Sequence, residues 1–69
     1  MTIRANLQNA RRHEKLTQCD MARTLGISEN HYQAIELGRQ LGSIKVWDAL
    51  EDLFNIPQRQ LRETTSPEN

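Results

Sequence analysis

The feature that most constrains this chain is the stretch TLGISENHY, residues 24–32, where a glycine lies between two aliphatic residues and a serine follows. Gly26 suits the position just past a helix, because positive φ costs a glycine little. Ser28 suits the residue before the next helix, because its hydroxyl can accept a bond from a first-turn backbone N–H. The stretch therefore predicts one helix ending near Leu25, a tight turn, and a second helix beginning at Glu29.

The segments before this turn also predict helices. Thr2 can cap a first helix that carries Ile3, Leu7 and Ala10 on one face and ends near Lys15. The second helix follows directly. Thr17 is its expected cap, and the Asp20 side chain can bond to the Thr17 backbone N–H to complete a weaker capping box. Its predicted inward residues are Met21, Ala22 and Leu25.

The segments after the turn predict a third and a fourth helix. Tyr32 and Ile35 would face inward on the third helix, which Gly38 would end. Ser43 would cap the fourth helix, and Asn55 would end it. The predicted inward face of the fourth helix consists of Ile44, Trp47, Leu50 and Phe54.

The end of the chain predicts one more short turn of helix and then a flexible tail. Pro57 can start the turn, which would run through Leu61. Residues 63–69, ETTSPEN, contain no apolar side chain, so we expect them to fray. The expected organisation is one domain over residues 1–62 and a C-terminal tail over 63–69.

Composition narrows the class of protein. A chain of 69 residues with 4% aromatic residues has material for one small core. No apolar run approaches the roughly 20 residues that span a bilayer, and MTIRANLQNARR lacks a secretion signal. The single cysteine cannot form an intrachain disulfide, which fits a cytoplasmic protein. We expect no membrane association.

The net charge is zero, but it is unevenly distributed along the chain. Residues 1–45 carry seven basic and four acidic groups, a net of +3, whereas residues 46–69 carry two basic and five acidic groups, a net of −3. One end of the molecule could therefore face a polyanion that the other end repels. Ordinary scatter of surface charge gives the same pattern.

Two short helices joined by a tight turn with one glycine form a helix-turn-helix. Ala22 supports this interpretation, because a steep and close helix crossing needs a small side chain at the crossing point. The same residues also fit a purely structural helical hairpin.

The run LTQCDMARTLGISENHYQAIELGRQ resembles the Cro/phage-repressor (XRE-type) helix-turn-helix family. The resemblance extends over roughly residues 3–62, including the exit stretch 54–57. It implies an all-α fold, a compact bundle of five short helices of the lambda-repressor-like DNA-binding type. It also implies that the third helix enters the DNA major groove, usually in a homodimer. The matching positions are 16–18, 22, 25–28, 35–36 and 38–39.

The resemblance also implies the positions that contact DNA. Asn30 and Gln33 can each form two hydrogen bonds to adenine, and Glu29 can accept from the cytosine amino group. Ala34 offers only a contact with a thymine methyl. The base-reading positions are therefore Glu29, Asn30, Gln33 and Ala34. The positions expected at the DNA backbone are Gln18, Ser28, His31, Arg39, Gln40, Ser43 and Lys45.

Other positions have weaker or architectural roles in the resemblance. Arg11 and Glu36 match a family pair that forms a partly buried salt bridge and does not contact DNA. The third helix carries no lysine or arginine, which predicts weak non-specific binding and dependence on a second subunit. We expect Leu41 to be exposed. Weaker candidates for backbone contacts are Arg12, Lys15 and Arg23.

Catalysis and cofactor binding are not expected. His13, Cys19 and His31 lack the spacing of metal ligands, and no second cysteine is present. No glycine-rich loop suits a phosphate of a bound nucleotide, and no small-molecule ligand is predicted. Cys19 lies near a helix N-terminus, so redox sensing is a minor alternative to packing.

The sequence therefore predicts a non-enzymatic transcriptional regulator, a repressor that binds a near-palindromic operator as a homodimer. The alternative is a protein-binding module that uses the same fold to dock on another regulator, as an antirepressor or one half of a hetero-complex. Zero net charge and Glu29 favour the alternative, whereas Gln18, Asn30 and Gln33 favour DNA.

Overall fold

The computed structural model describes residues 3–64, which form a bundle of five helices with no β-strand in that range. This confirms the predicted all-α fold. The domain boundary at residue 62 stays a prediction, and residues 65–69 of the expected tail lie outside the described residues. The helices are α1 (Ala5–His13), α2 (Gln18–Leu25), α3 (Glu29–Glu36), α4 (Ile44–Phe54) and α5 (Gln58–Arg62).

The start of α1 differs from the prediction. Thr2 lies outside the described residues, and α1 begins at Ala5, so Ile3 is not part of the helix. Arg4 precedes the helix without a side-chain cap, and its backbone N–H donates to the Glu36 carbonyl at 2.8 Å. This bond joins residues far apart in sequence, which is why local capping rules do not find the boundary.

The helix-turn-helix is closed by the predicted local bonds. The Asp20 N–H donates to Thr17 Oγ1 at 3.0 Å, and the Thr17 N–H donates to Asp20 Oδ2 at 3.0 Å, forming a complete capping box. Gly26 ends α2 in the left-handed region at φ 72°. Ser28 then caps α3 by accepting the His31 N–H at 3.1 Å. These bonds fix the angle between α2 and α3.

One face of α4 is rotated from the prediction. Ser43 caps the helix and Asn55 ends it in the left-handed region, as expected. Ile44, however, is 78% exposed, whereas Val46 is buried in its place beside Trp47. Ile44 was predicted to face inward and this was wrong, because both apolar residues fit a helical period and packing on the bundle selects Val46.

The core combines side chains from all five helices. Leu61 of α5 is completely buried and is therefore a core residue. Phe54 and Ile56 are half-buried and pack against the same cluster. The buried apolar residues are Leu7, Met21, Ala22, Tyr32, Ile35, Val46, Trp47, Leu50 and Leu61. Among residues 3–64 no helix is long and apolar enough to cross a lipid bilayer.

Candidate nucleic-acid interface

The four predicted base-reading residues share one face of α3. Positions 29, 30, 33 and 34 fall within one arc of a helix with 3.6 residues per turn, and Tyr32 and Ile35 face the core on the other side. Glu29 and Asn30 are exposed in the first turn, whereas positions 33 and 34 are half-buried. The most accessible hydrogen-bonding groups of this face therefore lie at the N-terminal end of α3, the end that reads base edges in helix-turn-helix complexes.

Gln33 is held in place by Gln18 of α2. The Gln33 Nε2 donates to Gln18 Oε1 at 3.1 Å, and the Gln18 Nε2 donates to Glu36 Oε1 at 3.1 Å. A primary amide has two N–H donors and one carbonyl acceptor. Gln33 therefore has one N–H and its Oε1 left for a further partner, whereas Gln18 has one N–H left. The sequence did not predict that the two glutamines bond to each other.

Glu36 is the centre of this polar network and is completely buried. Its Oε2 accepts from Arg11 Nε at 2.6 Å and from the Tyr32 hydroxyl at 2.5 Å. Its Oε1 accepts from Arg11 Nη2 at 3.4 Å as well as from Gln18. The predicted Arg11–Glu36 salt bridge is thus confirmed, and through it α1, α2 and α3 meet at one carboxylate.

The network shifts the ionisation of two of its donors. The hydrogen bond to Glu36 raises the pKa of Arg11. Burial alone would lower this pKa, but the negative charge of Glu36 raises it further. Burial raises the pKa of Tyr32 far above its usual range, and the bond to Glu36 raises it further. Arg11 therefore stays charged and Tyr32 stays neutral, so both remain donors to Glu36.

Two of the predicted backbone contacts are serine caps. Ser28 Oγ accepts from the His31 N–H, and Ser43 Oγ accepts from the Val46 N–H at 3.3 Å. Each hydroxyl accepts in its cap and still has its own O–H to donate to a phosphate. Both serines are exposed at helix N-termini, where the helix dipole favours an anion. His31 is half-buried at the edge of the face formed by residues 29, 30, 33 and 34.

The remaining predicted contacts belong to the α3–α4 loop (residues 37–43) and the start of α4. Arg39 and Gln40 are exposed, and their N–H groups donate to the Ala34 carbonyl at 2.9 and 3.3 Å. These bonds keep the beginning of the loop beside α3. Lys45 is also exposed. Within the described residues no hydrogen bond joins Ser43 or Lys45 to α3, so α4 sets their positions.

Comparison with known proteins addresses the family. A helix-turn-helix domain family matches residues 5–64, which include all five helices. The chain belongs to the helix-turn-helix domain family. This membership confirms the predicted motif, is consistent with the Cro/phage-repressor type, and implies DNA binding. Members of the family are generally not enzymes. Comparisons with curated proteins and with solved structures give no match.

This helix-turn-helix domain contains one buried polar residue that the sequence analysis did not single out. Arg4 is only 5% exposed. Its Nη1 donates to the carbonyls of Ile35 and Gln40, the latter at 2.9 Å, and its Nε donates to the Arg62 carbonyl at 3.1 Å. An arginine near the start of a chain is ordinarily solvated, so no local signal indicated this burial.

Aromatic packing completes the surroundings of Arg4. Its guanidinium carbon lies 5.3 Å from the centroid of the Trp47 ring, within the range of a cation–π interaction. Burial lowers the pKa of Arg4, and the charge of Arg62 lowers it further. The Trp47 Nε1 in turn donates to the Leu41 carbonyl at 2.5 Å.

In the part of the chain that the structure describes, no group of acidic, histidine and cysteine side chains is placed to hold a metal ion.

Proposed function

We propose that this helix-turn-helix domain is a cytoplasmic transcriptional repressor that acts by occupancy, without catalysis or a cofactor. Two copies would bind a near-palindromic operator, each with α3 in the major groove, and would block access of polymerase. The base edges would be read by Glu29, Asn30, Gln33 and Ala34. The DNA backbone would be held by Gln18, Ser28, His31, Arg39, Gln40, Ser43 and Lys45.

The observation that carries the proposal is the bond between Gln33 and Gln18 on the exposed side of α3. A side chain already fixed in one orientation loses less conformational entropy when it binds. Gln18 is itself held by the buried Glu36, so the orientation of Gln33 rests on the core and not on a mobile surface. Such preorganised amides suit recognition of an adenine, which needs one donor and one acceptor at a fixed spacing.

The distribution of charge supports a division of labour within the interface. α3 has no basic residue and begins with Glu29, so phosphate contacts must come from elements around it. Arg39, just past the end of α3, and Lys45, in the first turn of α4, supply exposed positive charge. One protomer therefore has few positively charged phosphate contacts, and a second protomer on the same operator would double them.

The dimer would use the turn between α4 and α5. Leu53 is 44% exposed at the end of α4, and the half-buried Phe54 and Ile56 are close to it in sequence. An exposed aliphatic residue next to partly covered apolar side chains suits a small symmetric interface. A second copy of the same surface would cover these three residues.

Selection from random duplex DNA at low salt tests the function. The winning site would then be titrated at several salt concentrations with the full chain and with Asn30→Ala. We expect two half-sites about 34–36 Å apart, affinity that falls as salt rises, and relaxed preference at one base for the variant. Asn9→Ala, an exposed change on α1, is the matched control. Absence of any enriched motif would contradict the proposal.

A protein-docking module is the second candidate, and the observation that favours it is the exposure of Leu41 and Ile44. These side chains are 60% and 78% exposed and lie three positions apart. A contiguous patch of exposed aliphatic side chains is typical of surfaces that bind another protein, and the second candidate assigns these two side chains to one patch. If the second candidate is right, Ile44→Ser should abolish capture of a partner regulator. If the DNA-binding proposal is right, the same variant should keep the base preference of the original chain.

A further inference from the structure

We propose that Arg4 is the positioning residue of the α3–α4 loop and thereby sets the phosphate contacts of the domain. The inference rests on the proposed DNA-binding function. Among the described residues, Arg4 makes no hydrogen bond to a predicted base-reading side chain. It acts through the backbone of Gln40, whose carbonyl accepts from Arg4 Nη1 at 2.9 Å.

The bonds of the loop show why one side chain has this effect. Its beginning is tied to α3 by the N–H groups of Arg39 and Gln40, which donate to Ala34. Its middle is tied by the Gln40 carbonyl to Arg4 and by the Leu41 carbonyl to Trp47. Arg4 lies over the Trp47 ring, so the two donors that hold the middle of the loop are packed against each other.

The same guanidinium joins three separate parts of the fold. Nη1 donates one N–H to the carbonyl of Ile35 in α3 and the other to the carbonyl of Gln40 in the loop. Nε donates to the carbonyl of Arg62 at the end of α5. The planar fork of an arginine carries five N–H donors in fixed directions, whereas a lysine is a flexible point charge with three donors. A lysine at position 4 therefore cannot keep all three bonds.

Within residues 3–64 the charge of Arg4 is satisfied without a carboxylate. All its hydrogen-bond acceptors are backbone carbonyls, and the aromatic face of Trp47 supplies the remaining attraction. A buried guanidinium that donates three hydrogen bonds to backbone carbonyls restrains the backbone around it. The exposed side chains of Arg39, Gln40 and Ser43 are attached to that backbone, so its position decides where they meet phosphates.

The test compares Arg4→Met with Asn6→Ala. Asn6 also ties α1 to α5, through a bond from Nδ2 to the Gln60 carbonyl at 2.9 Å, but it makes no bond to the loop. Affinity for the selected operator would be measured against salt concentration, together with discrimination against a single-base change. For Arg4→Met we expect roughly tenfold weaker binding, a salt slope smaller by about 0.9 for each lost phosphate contact, and unchanged base discrimination. Asn6→Ala should change none of these.

Hydrogen exchange of the free protein supplies a readout that does not need DNA. The amide hydrogens of Arg39 and Gln40 should exchange faster in Arg4→Met, while those of α2 keep the rates of the original chain. Arg4→Lys, which retains the charge and the packing stem, gives the same comparison if the methionine variant does not fold. We expect it to show an intermediate rate.

The outcomes separate this inference from the proposed function. If the original chain binds no DNA, the proposed function fails, whereas faster loop exchange in the Arg4 variants would still support positioning by Arg4. The inference is overturned if Arg4→Met and Arg4→Lys both leave the salt slope and the exchange of the loop amides unchanged. It is also overturned if Asn6→Ala has the same effect, or if base discrimination is lost in parallel with affinity.

Discussion

Arg11 Nε lies 2.6 Å from Glu36 Oε2, and the carboxylate of this pair is completely buried beneath the helix-turn-helix. The same carboxylate accepts from Tyr32 and Gln18, and Gln18 in turn bonds to Gln33. A structural ion pair is thus connected, by side-chain hydrogen bonds alone, to a residue proposed to read DNA. Changes within the core should therefore affect both stability and recognition.

Replacing Glu36 by glutamine should destabilise the fold strongly. The substitution removes the negative charge while the Arg11 guanidinium stays largely buried, with a side chain that is 11% exposed. Breaking a buried pair by neutralising one partner costs about 3 kcal/mol. Urea unfolding followed by circular dichroism measures the change. The control is Glu14→Gln, because the exposed Glu14–His13 pair, at 3.5 Å, should contribute less than about 1 kcal/mol. Equal effects of the two variants would contradict the role given to burial.

Replacing Gln18 by alanine should reduce the specificity of DNA binding. The variant leaves Gln33 without the partner that fixes its amide. We expect discrimination at the base read by Gln33 to weaken by about 1 kcal/mol, and direct loss of that residue in Gln33→Ala to cost about 1–3 kcal/mol. Competition titrations against single-base variants of the operator measure both values. A Gln18→Ala variant that loses affinity equally for every site would show that Gln18 contacts only phosphate.

Tyr32 predicts a loss of stability at alkaline pH. Its pKa is raised in the folded protein, so the folded state keeps the hydroxyl protonated while the unfolded tyrosine ionises from about pH 10. The stabilisation is complete below that pH and falls by about 1.4 kcal/mol per pH unit above it. Tyr32→Phe should remove this slope, although it costs about 1.5–3 kcal/mol at neutral pH by deleting a bond to a charged group. Urea unfolding at a series of alkaline pH values gives the free energy of unfolding of the original chain and of Tyr32→Phe. In the difference between the two, the contributions of the other titrating groups cancel. Parallel curves would show that the phenol ionises freely.

Gly42 and Gly26 should respond differently to alanine. Both have positive φ, 84° and 72°, so each substitution carries a backbone cost of about 1 kcal/mol. A Cβ on Gly42 would lie 3.1 Å from Ile35 Cδ1 and 3.4 Å from Trp47 Nε1, whereas a Cβ on Gly26 would meet open space. We expect Gly42→Ala to lower the free energy of unfolding by about 2–3 kcal/mol, since crowding adds to the backbone cost. Thermal unfolding of the two variants measures the difference, and a larger loss for Gly26→Ala would refute the packing argument.

Leu53 should control self-association. A glutamate at this exposed position would introduce like charges across the proposed two-fold interface without entering the core. Sedimentation of Leu53→Glu should show a monomer at concentrations where the original chain is dimeric. Ile44→Glu places the same charge at the other end of α4 and serves as the control. A variant that stays dimeric would move the proposed interface away from the α4–α5 turn.

The sequence predicted the helix ends that depend on bonds between near neighbours. The Thr17–Asp20 capping box, the Ser28 and Ser43 caps, and the end of α4 at Asn55 all follow from chemistry within a few residues. For the same reason the turn at Gly26 was predictable. The Arg11–Glu36 pair was found through the family resemblance, since nothing local connects the two residues.

Features set by packing between distant segments were not predictable. The choice of Val46 over Ile44 depends on how α4 lies on the bundle. The burial of Arg4 depends on carbonyls from α3, the loop and α5. The bond between Gln18 and Gln33 depends on the crossing of α2 and α3, although both residues had been assigned to the interface. Helical periodicity predicts which apolar residues can share one face of a helix. How each helix is rotated and docked depends on the helices packed against it.

The bond from Arg4 to Arg62 connects positions 58 residues apart, and completely buried Leu61 belongs to the same five-residue α5. So short a helix has no stability by itself and forms only against α1 and α4. During synthesis on the ribosome, the helix-turn-helix would emerge well before the segment that completes its core. The core and the Arg4–Arg62 bond are therefore complete only after α5 has left the exit tunnel, so the DNA binding that we propose would begin only then.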